Sequence, residues 1–226
     1  MDDFSITDER LEGALRDLRW TNRLLGGYAA TRRTLRPLLQ NHSRLRVLDI
    51  GTGGGDSLVD LIRFGHSQAC RLEVVGIDLN AGAVEYARGH LDRTLSPRMR
   101  TRVDVRVGDA LNLDMPDDHF DVAIASLFLH HFEADDAATL LREMDRVARH
   151  GIIINDLHRH MLAYLGVLTL SRLLPASSMY RHDAPLSVRR GFRADELRSI
   201  ALAAGLSSPD IRWHWAFRWT LSTLTR

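Results

Sequence analysis

The sequence predicts an α/β protein in which helices cover both faces of a mostly parallel sheet, a doubly wound arrangement. Three observations lead there. Short apolar runs recur at 45–50, 72–77, 103–107, 120–125 and 151–155; helical patterns at 56–64, 81–90 and 134–149 separate several of them; and the first run breaks into glycines that open a helix. Strands that alternate with helices pair in parallel through right-handed crossovers.

Residues from about 8 to 39 read as helical, with Leu11, Ala14, Leu15 and Leu18 at helical spacing and a break at Gly26 and Gly27. Residues 1–43 are therefore expected to form a helical cap in front of a core spanning 44–226. Residues 157–190 interrupt the rhythm of that core. An apolar, helix-like stretch carrying Leu162, Tyr164, Leu165, Leu168 and Leu173 is followed by an expected loop holding Pro175, Ser177, Ser178 and Pro185. This insertion is expected to act as a lid, its leucine stripe reading first as core and second as the wall of an apolar pocket. A last helix at 193–204 stops at Gly205, and the aromatic stretch beyond Ile211 alternates as a closing β-hairpin.

Composition excludes several classes of function. The chain has 226 residues and a formal net charge of +1, without the basic excess that phosphate neutralisation requires, so nucleic acid is not expected as a partner. All 30 basic residues are arginine. A Walker phosphate loop and Schiff-base chemistry both need a lysine amine, so those enzymes are excluded. The single cysteine, Cys70, rules out an intrachain disulfide framework and a cysteine-clustered zinc site, and reads as a small buried hydrophobe. The acidic start MDDFSITDER lacks the pattern of a secretory signal, which makes a cytoplasmic location the expectation. The longest apolar stretch, 161–174, contains Arg172 and falls short of the roughly 20 residues that span a bilayer.

The chemistry is concentrated at the ends of the expected strands. In VLDIGTGGGD, residues 47–56, glycines let the backbone turn tightly and approach a ligand at a helix N-terminus. A dinucleotide fingerprint would want glycine at 56, where this chain has Asp56, and an acid there suits a pyrophosphate poorly. S-adenosylmethionine carries no phosphate and has a cationic sulfonium, so Asp49 and Asp56 are tolerable beside it. Farther on, VVGIDLN ends a strand at Asp78, where an acid can accept from ribose hydroxyls. VGDALNL then places Asp109 and the backbone of Ala110 for an adenine edge.

These segments, together with FDVAIASLFLHHF, resemble in order the motifs of the class I S-adenosylmethionine-dependent methyltransferases, over roughly residues 44–155. The resemblance implies a Rossmann-like sheet of seven strands with one antiparallel, and S-adenosylmethionine held at Gly51, Thr52, Gly53, Asp78 and Asp109. Asp49, Leu79, Ala110 and Ser126 complete the expected cofactor set. NDLHRHMLAYLG and RHDAPLSVRRGF look like small-molecule enzymes of quinone and aromatic polyketide pathways.

The expected reaction is O-methylation of a small, apolar aromatic acceptor, because a phenol is a poor nucleophile at neutral pH and gains from a base. His130, His131, His158 and His182 are the candidate bases, with Asp156 as orienter or base. Each also has a structural reading, and the His130–His131 pair can simply shape a pocket. No metal is expected: His158 and His160 lack the i, i+4 spacing of a helical metal pair. Arg181, Arg189, Arg190 and Arg193 read as a solvated run, from which one arginine can grip an acceptor carboxylate. C-methylation of a quinone-type ring is the close alternative; a nicotinamide oxidoreductase and a non-catalytic cofactor-binding partner protein are the rivals from other classes. The oligomeric state, homodimer included, is left open.

Overall fold

A computed structural model describes residues 26–173 and 177–224, together with Gly13, Leu15, Arg16, Asp17, Arg19 and Asn22. The described chain runs α1 (Gly27–Asn41), β1 (Arg44–Ile50), α2 (Asp56–Ser67), β2 (Arg71–Asp78), α3 (Ala81–Thr94), a short α4 (Pro97–Arg100), β3 (Val103–Val107), β4 (Val122–Ser126) and a 3-10 turn (Leu129–His131). It continues as α5 (Ala134–Val147), β5 (Ile152–Leu157), α6 (Met161–Leu173), α7 (Ser178–Arg190), α8 (Ala194–Ala203), β6 (Asp210–His214) and β7 (Arg218–Ser222).

The strands form one seven-stranded sheet in the order β3-β2-β1-β4-β5-β7-β6. β1 to β5 pair in parallel, and β7 enters antiparallel between β5 and β6, with Leu157 opposite Arg218 and Asp156 opposite Trp219. Side chains alternate across a strand, so each strand feeds two cores. Leu45 and Val47 of β1 join Leu35, Leu58, Ile62 and Leu91 under α1, α2 and α3. Leu48 and Ile50 join Leu140, Met144, Leu197 and Ile200 under α5 and α8. The expected doubly wound sheet is present, with its strand ends displaced by a residue or so from the sequence reading.

The parallel crossovers leave the C-terminal ends of β1, β2, β4 and β5 along one edge, with the strand order reversing between β1 and β4. That switch point is where open α/β sheets form a crevice. α1 is fastened beside it by Asn155 of β5, whose buried side-chain amide donates to Gly27 O at 2.7 Å and to Thr31 Oγ1 at 3.0 Å.

Two expectations for the inserted segment are corrected. The region assigned to a loop is largely helical: α7 starts at the Ser177 cap, whose hydroxyl accepts from Tyr180 N at 3.2 Å, and runs through Ser178 and Pro185. Burial of Tyr180 and Val188 outweighs the backbone hydrogen bond that Pro185 forgoes. Pro175 lies outside the described residues. The leucine stripe is not core either: Leu162, Leu165 and Leu173 of α6 are exposed, and Ser171 is the buried residue of that helix. Leu11, Ala14 and Leu18 fall outside the described residues, whereas Leu15 is helical and buried against Gly53 and Gly54. No helix among the described residues is long and apolar enough to cross a membrane.

Candidate active site

The glycine loop after β1 is held open by backbone geometry that side chains resist. Gly51, Gly53 and Gly55 all have positive φ, and a Cβ at Gly51 would lie 2.2 Å from the Phe128 ring. Gly51 N and Thr52 N both donate to Ile77 O of β2, at 2.9 and 3.0 Å. Asp78 completes the tie: Oδ2 accepts from Gly53 N and Oδ1 from Asn80 N, each at 2.9 Å. A carboxylate offers about four lone-pair sites, so these two bonds do not exhaust its capacity to accept from a ligand's hydroxyl. Burial pushes the Asp78 carboxyl above its ordinary value, against the backbone N–H groups of Asn80 and Gly53 and the charge of His131.

A cleft of two adjoining lobes opens over these strand ends. The larger, about 1000 Å³, is lined by Gly51, Asp78, Leu79, Asp109, Ala110 and Phe128, among others. Asp109 is exposed and accepts from Leu111 N at 2.9 Å, while Ala110 is buried. The smaller, about 200 Å³, takes in Thr52 and Ser126 with Tyr28, Leu157, Tyr180 and Arg218. His130 and His131 line both lobes.

Asp49 does not line either lobe. It is buried beneath the loop and accepts from Ser57 Oγ at 2.6 Å, and burial pushes its carboxyl up to about 6. Asp56 does reach the smaller lobe, but its charge is answered within the protein by Arg19 Nε at 2.5 Å, and His90 Nε2 lies 3.2 Å away.

The five residues read as catalytic candidates separate clearly. After β4 the chain turns sharply at Leu127, whose φ of +55° is strained for a bulky residue, and Leu127 N is fixed to Asn155 O at 2.8 Å. That turn delivers His130 onto Asp156 of β5. His130 Nδ1 lies 2.7 Å from Asp156 Oδ1, both side chains are buried, and His130 Nε2 has no hydrogen-bond partner. Burial pushes the Asp156 carboxyl up, but the His130 ring and the N–H groups of Leu157 and His130 outweigh it and hold it below its ordinary value. An ionised carboxylate only accepts, so Nδ1 carries a proton, and in the neutral form of the ring Nε2 holds the lone pair.

Of the candidate bases, His158 and His182 do not line the cleft. His158 accepts from Trp213 Nε1 at 3.3 Å and sits edge-on to Trp219, while His182 is exposed and paired with Asp183 at 3.2 Å. Of the arginines, Arg190 lines both lobes. Arg218 was not singled out by the sequence, because one arginine among 30 in an aromatic hairpin carries no local signal. Among the described residues no cluster of three or more metal-ligating side chains occurs.

The comparisons agree with this architecture. A family model described as a methyltransferase domain matches residues 47–151. The chain is 32% identical over 193 residues to the ubiquinone biosynthesis O-methyltransferase of Azorhizobium caulinodans, covering 81% of this chain and 68% of that protein. It is 34% identical over 180 residues to the demethylmenaquinone methyltransferase of Roseiflexus sp., covering 74% of this chain and 70% of the other. Among solved structures, a SAM-dependent methyltransferase from Aquifex aeolicus shares the fold with a TM-score of 0.66 at 17% identity, over 92% of this chain and 95% of that one.

The fold is a doubly wound sheet with a two-lobed cleft at its switch point. The chain belongs to the class I S-adenosylmethionine-dependent methyltransferases, and S-adenosylmethionine is its cofactor.

Proposed function

We propose that this enzyme O-methylates a small aromatic acceptor, with His130 as the general base and Asp156 as the residue that positions and supports it. The observation that carries the reading is the buried His130–Asp156 pair, which leaves Nε2 without a partner on a residue common to both lobes. The relative from Azorhizobium, named as an O-methyltransferase, supports it.

Asp78 would accept from the ribose hydroxyls, Asp109 and Ala110 would flank the base, and Gly51, Thr52, Gly53 and Ser126 would hold the aminoacyl end. The cofactor supplies a methyl group already activated on a sulfonium. The protein aligns the acceptor oxygen, and the acceptor proton passes to His130 Nε2 as that oxygen takes the methyl. The imidazolium so formed is stabilised by the Asp156 carboxylate. His131, whose charge acts on Asp78, would shape the junction of the lobes.

Among the described residues, Leu15 of the expected cap lines both lobes, and Val167, Tyr180 and Val188 of the expected lid line the smaller one, which supports those roles. Incubation with radiolabelled methyl donor and a panel of phenols, quinols and amines, followed by NMR of the product, tests the reading. A new aryl methyl ether would support it. Methyl on a ring carbon or nitrogen would overturn the O-methylation assignment.

A further inference from the structure

Arg218 opens β7 opposite Leu157 and is 3% exposed. Its Nη2 donates to Asn22 Oδ1 at 2.9 Å, while Nε and Nη1 are buried and have no hydrogen-bond partner among the described residues. Arginine keeps its charge even where burial pulls its pKa down, as it does here. A buried charge without a counter-ion is costly, which makes an unpaired guanidinium informative.

The carboxylates around it are committed elsewhere. Asp156 attracts Arg218 through space, yet it hydrogen-bonds His130 and makes no ion pair with Arg218 within 4 Å. Asp56 and Asp183, which line the same lobe, pair with Arg19 and His90 and with His182. The same lobe also holds Tyr28, Leu157 and Tyr180, and two further arginines, Arg190 and the Asp56-paired Arg19. β7 lies three places from β1 in the sheet, or roughly 14 Å at ordinary strand spacing, on the side away from Asp78 and Asp109.

We propose that Arg218 recognises the acceptor, and that the acceptors of this enzyme carry a carboxylate on or beside the aromatic ring. The anion accepts from an unpartnered N–H of this guanidinium while the reacting hydroxyl faces His130. The inference rests on the aromatic O-methylation reading and adds to it the charge class of the substrate.

The test uses two probes of nearly equal shape, 3,4-dihydroxybenzoate and 3,4-dihydroxybenzamide, titrated calorimetrically into the intact protein saturated with S-adenosylhomocysteine. The wild type is expected to bind the carboxylate at least about 10-fold more tightly than the amide, the scale of a hydrogen bond to a charged group. R218M should abolish that preference and leave affinity for S-adenosylhomocysteine within about 3-fold. R218K, which keeps a buried charge, should retain part of the preference.

Equal binding of the two probes by the wild type, or measurable binding of neither, would overturn the proposal without any variant having to fold. A loss of S-adenosylhomocysteine affinity in R218M or R218K would also overturn it, by assigning Arg218 to the cofactor's own carboxylate. The broader reading fails separately. Methylation of the amide as readily as the acid would remove only the Arg218 inference, whereas tight carboxylate binding with no aryl ether formed on any phenol would remove only the O-methylation assignment.

Discussion

Asp156 engages His130 twice, accepting from its backbone N–H at 3.2 Å through Oδ2 and contacting its ring Nδ1 at 2.7 Å through Oδ1. The two contacts fix both the position of the residue and the plane of its ring. One buried carboxylate thereby sets the tautomer and the aim of the imidazole.

His130→Gln is accordingly expected to lower turnover by about 10²- to 10⁴-fold while leaving cofactor affinity nearly intact. Asp156→Asn should produce a loss of similar order, because an amide no longer obliges the ring proton to stay on Nδ1. Single-turnover rates with saturating S-adenosylmethionine provide the measurement. Near-normal rates in both folded variants would leave alignment alone as the source of catalysis.

Asp78→Ala should weaken S-adenosylmethionine binding by about 1.5 to 3 kcal/mol, the worth of hydrogen bonds to a charged group. Because Asp78 also holds Gly53 N and Asn80 N, some stability should be lost as well. Calorimetry on protein shown to be folded separates the two effects, and unchanged affinity would withdraw Asp78 from the cofactor site.

Asp49 supplies a pH dependence of defined sign. Its carboxyl titrates near 6 in the folded protein, above the ordinary range near 4, so between those values the native state holds a proton that the unfolded chain has released. Stability from this group is therefore greatest below about pH 4, falls as pH rises to about 6, and stays reduced above it. Asp49→Asn removes that cost while keeping an acceptor for Ser57. Urea denaturation should show the variant gaining on the wild type across this window, to about 2 to 3 kcal/mol. A difference that does not vary with pH would place the titration elsewhere.

Gly51→Ala is expected to destabilise the fold by about 2 to 4 kcal/mol, from a left-handed backbone combined with a clash against Phe128. Gly205→Ala isolates the first contribution, since φ there is +91° and nothing lies within 4 Å of the added carbon. Its cost should be about 1 to 2 kcal/mol. Equal losses at the two positions, read from denaturant midpoints, would show that Phe128 yields freely.

The sheet and the glycine loop after β1 were legible because their signals are local. Strand periodicity, the glycines at 51, 53 and 55, and an acid at the end of β2 each lie within a few residues. His130 and Asp156 were both legible as candidates, but their partnership was not, since 26 positions separate them and a strained turn at Leu127 brings them together. His158 and His182 looked equivalent to His130 in the sequence; only packing against Trp219, or pairing with Asp183 at the surface, sets them apart. Pro185 misled because a local cost was read without the burial of Tyr180 and Val188 that outweighs it.

The entry of β7 between β5 and β6 also bears on how the protein is made. During synthesis β5, which carries Asp156, emerges well before residues 218–222 are available to pair with it, so its hydrogen-bonding edge stays open while the ribosome completes the hairpin. An open strand edge invites pairing with another chain. Stalled or prematurely terminated nascent chains ending before β7 should therefore be sticky through the same strand that carries Asp156.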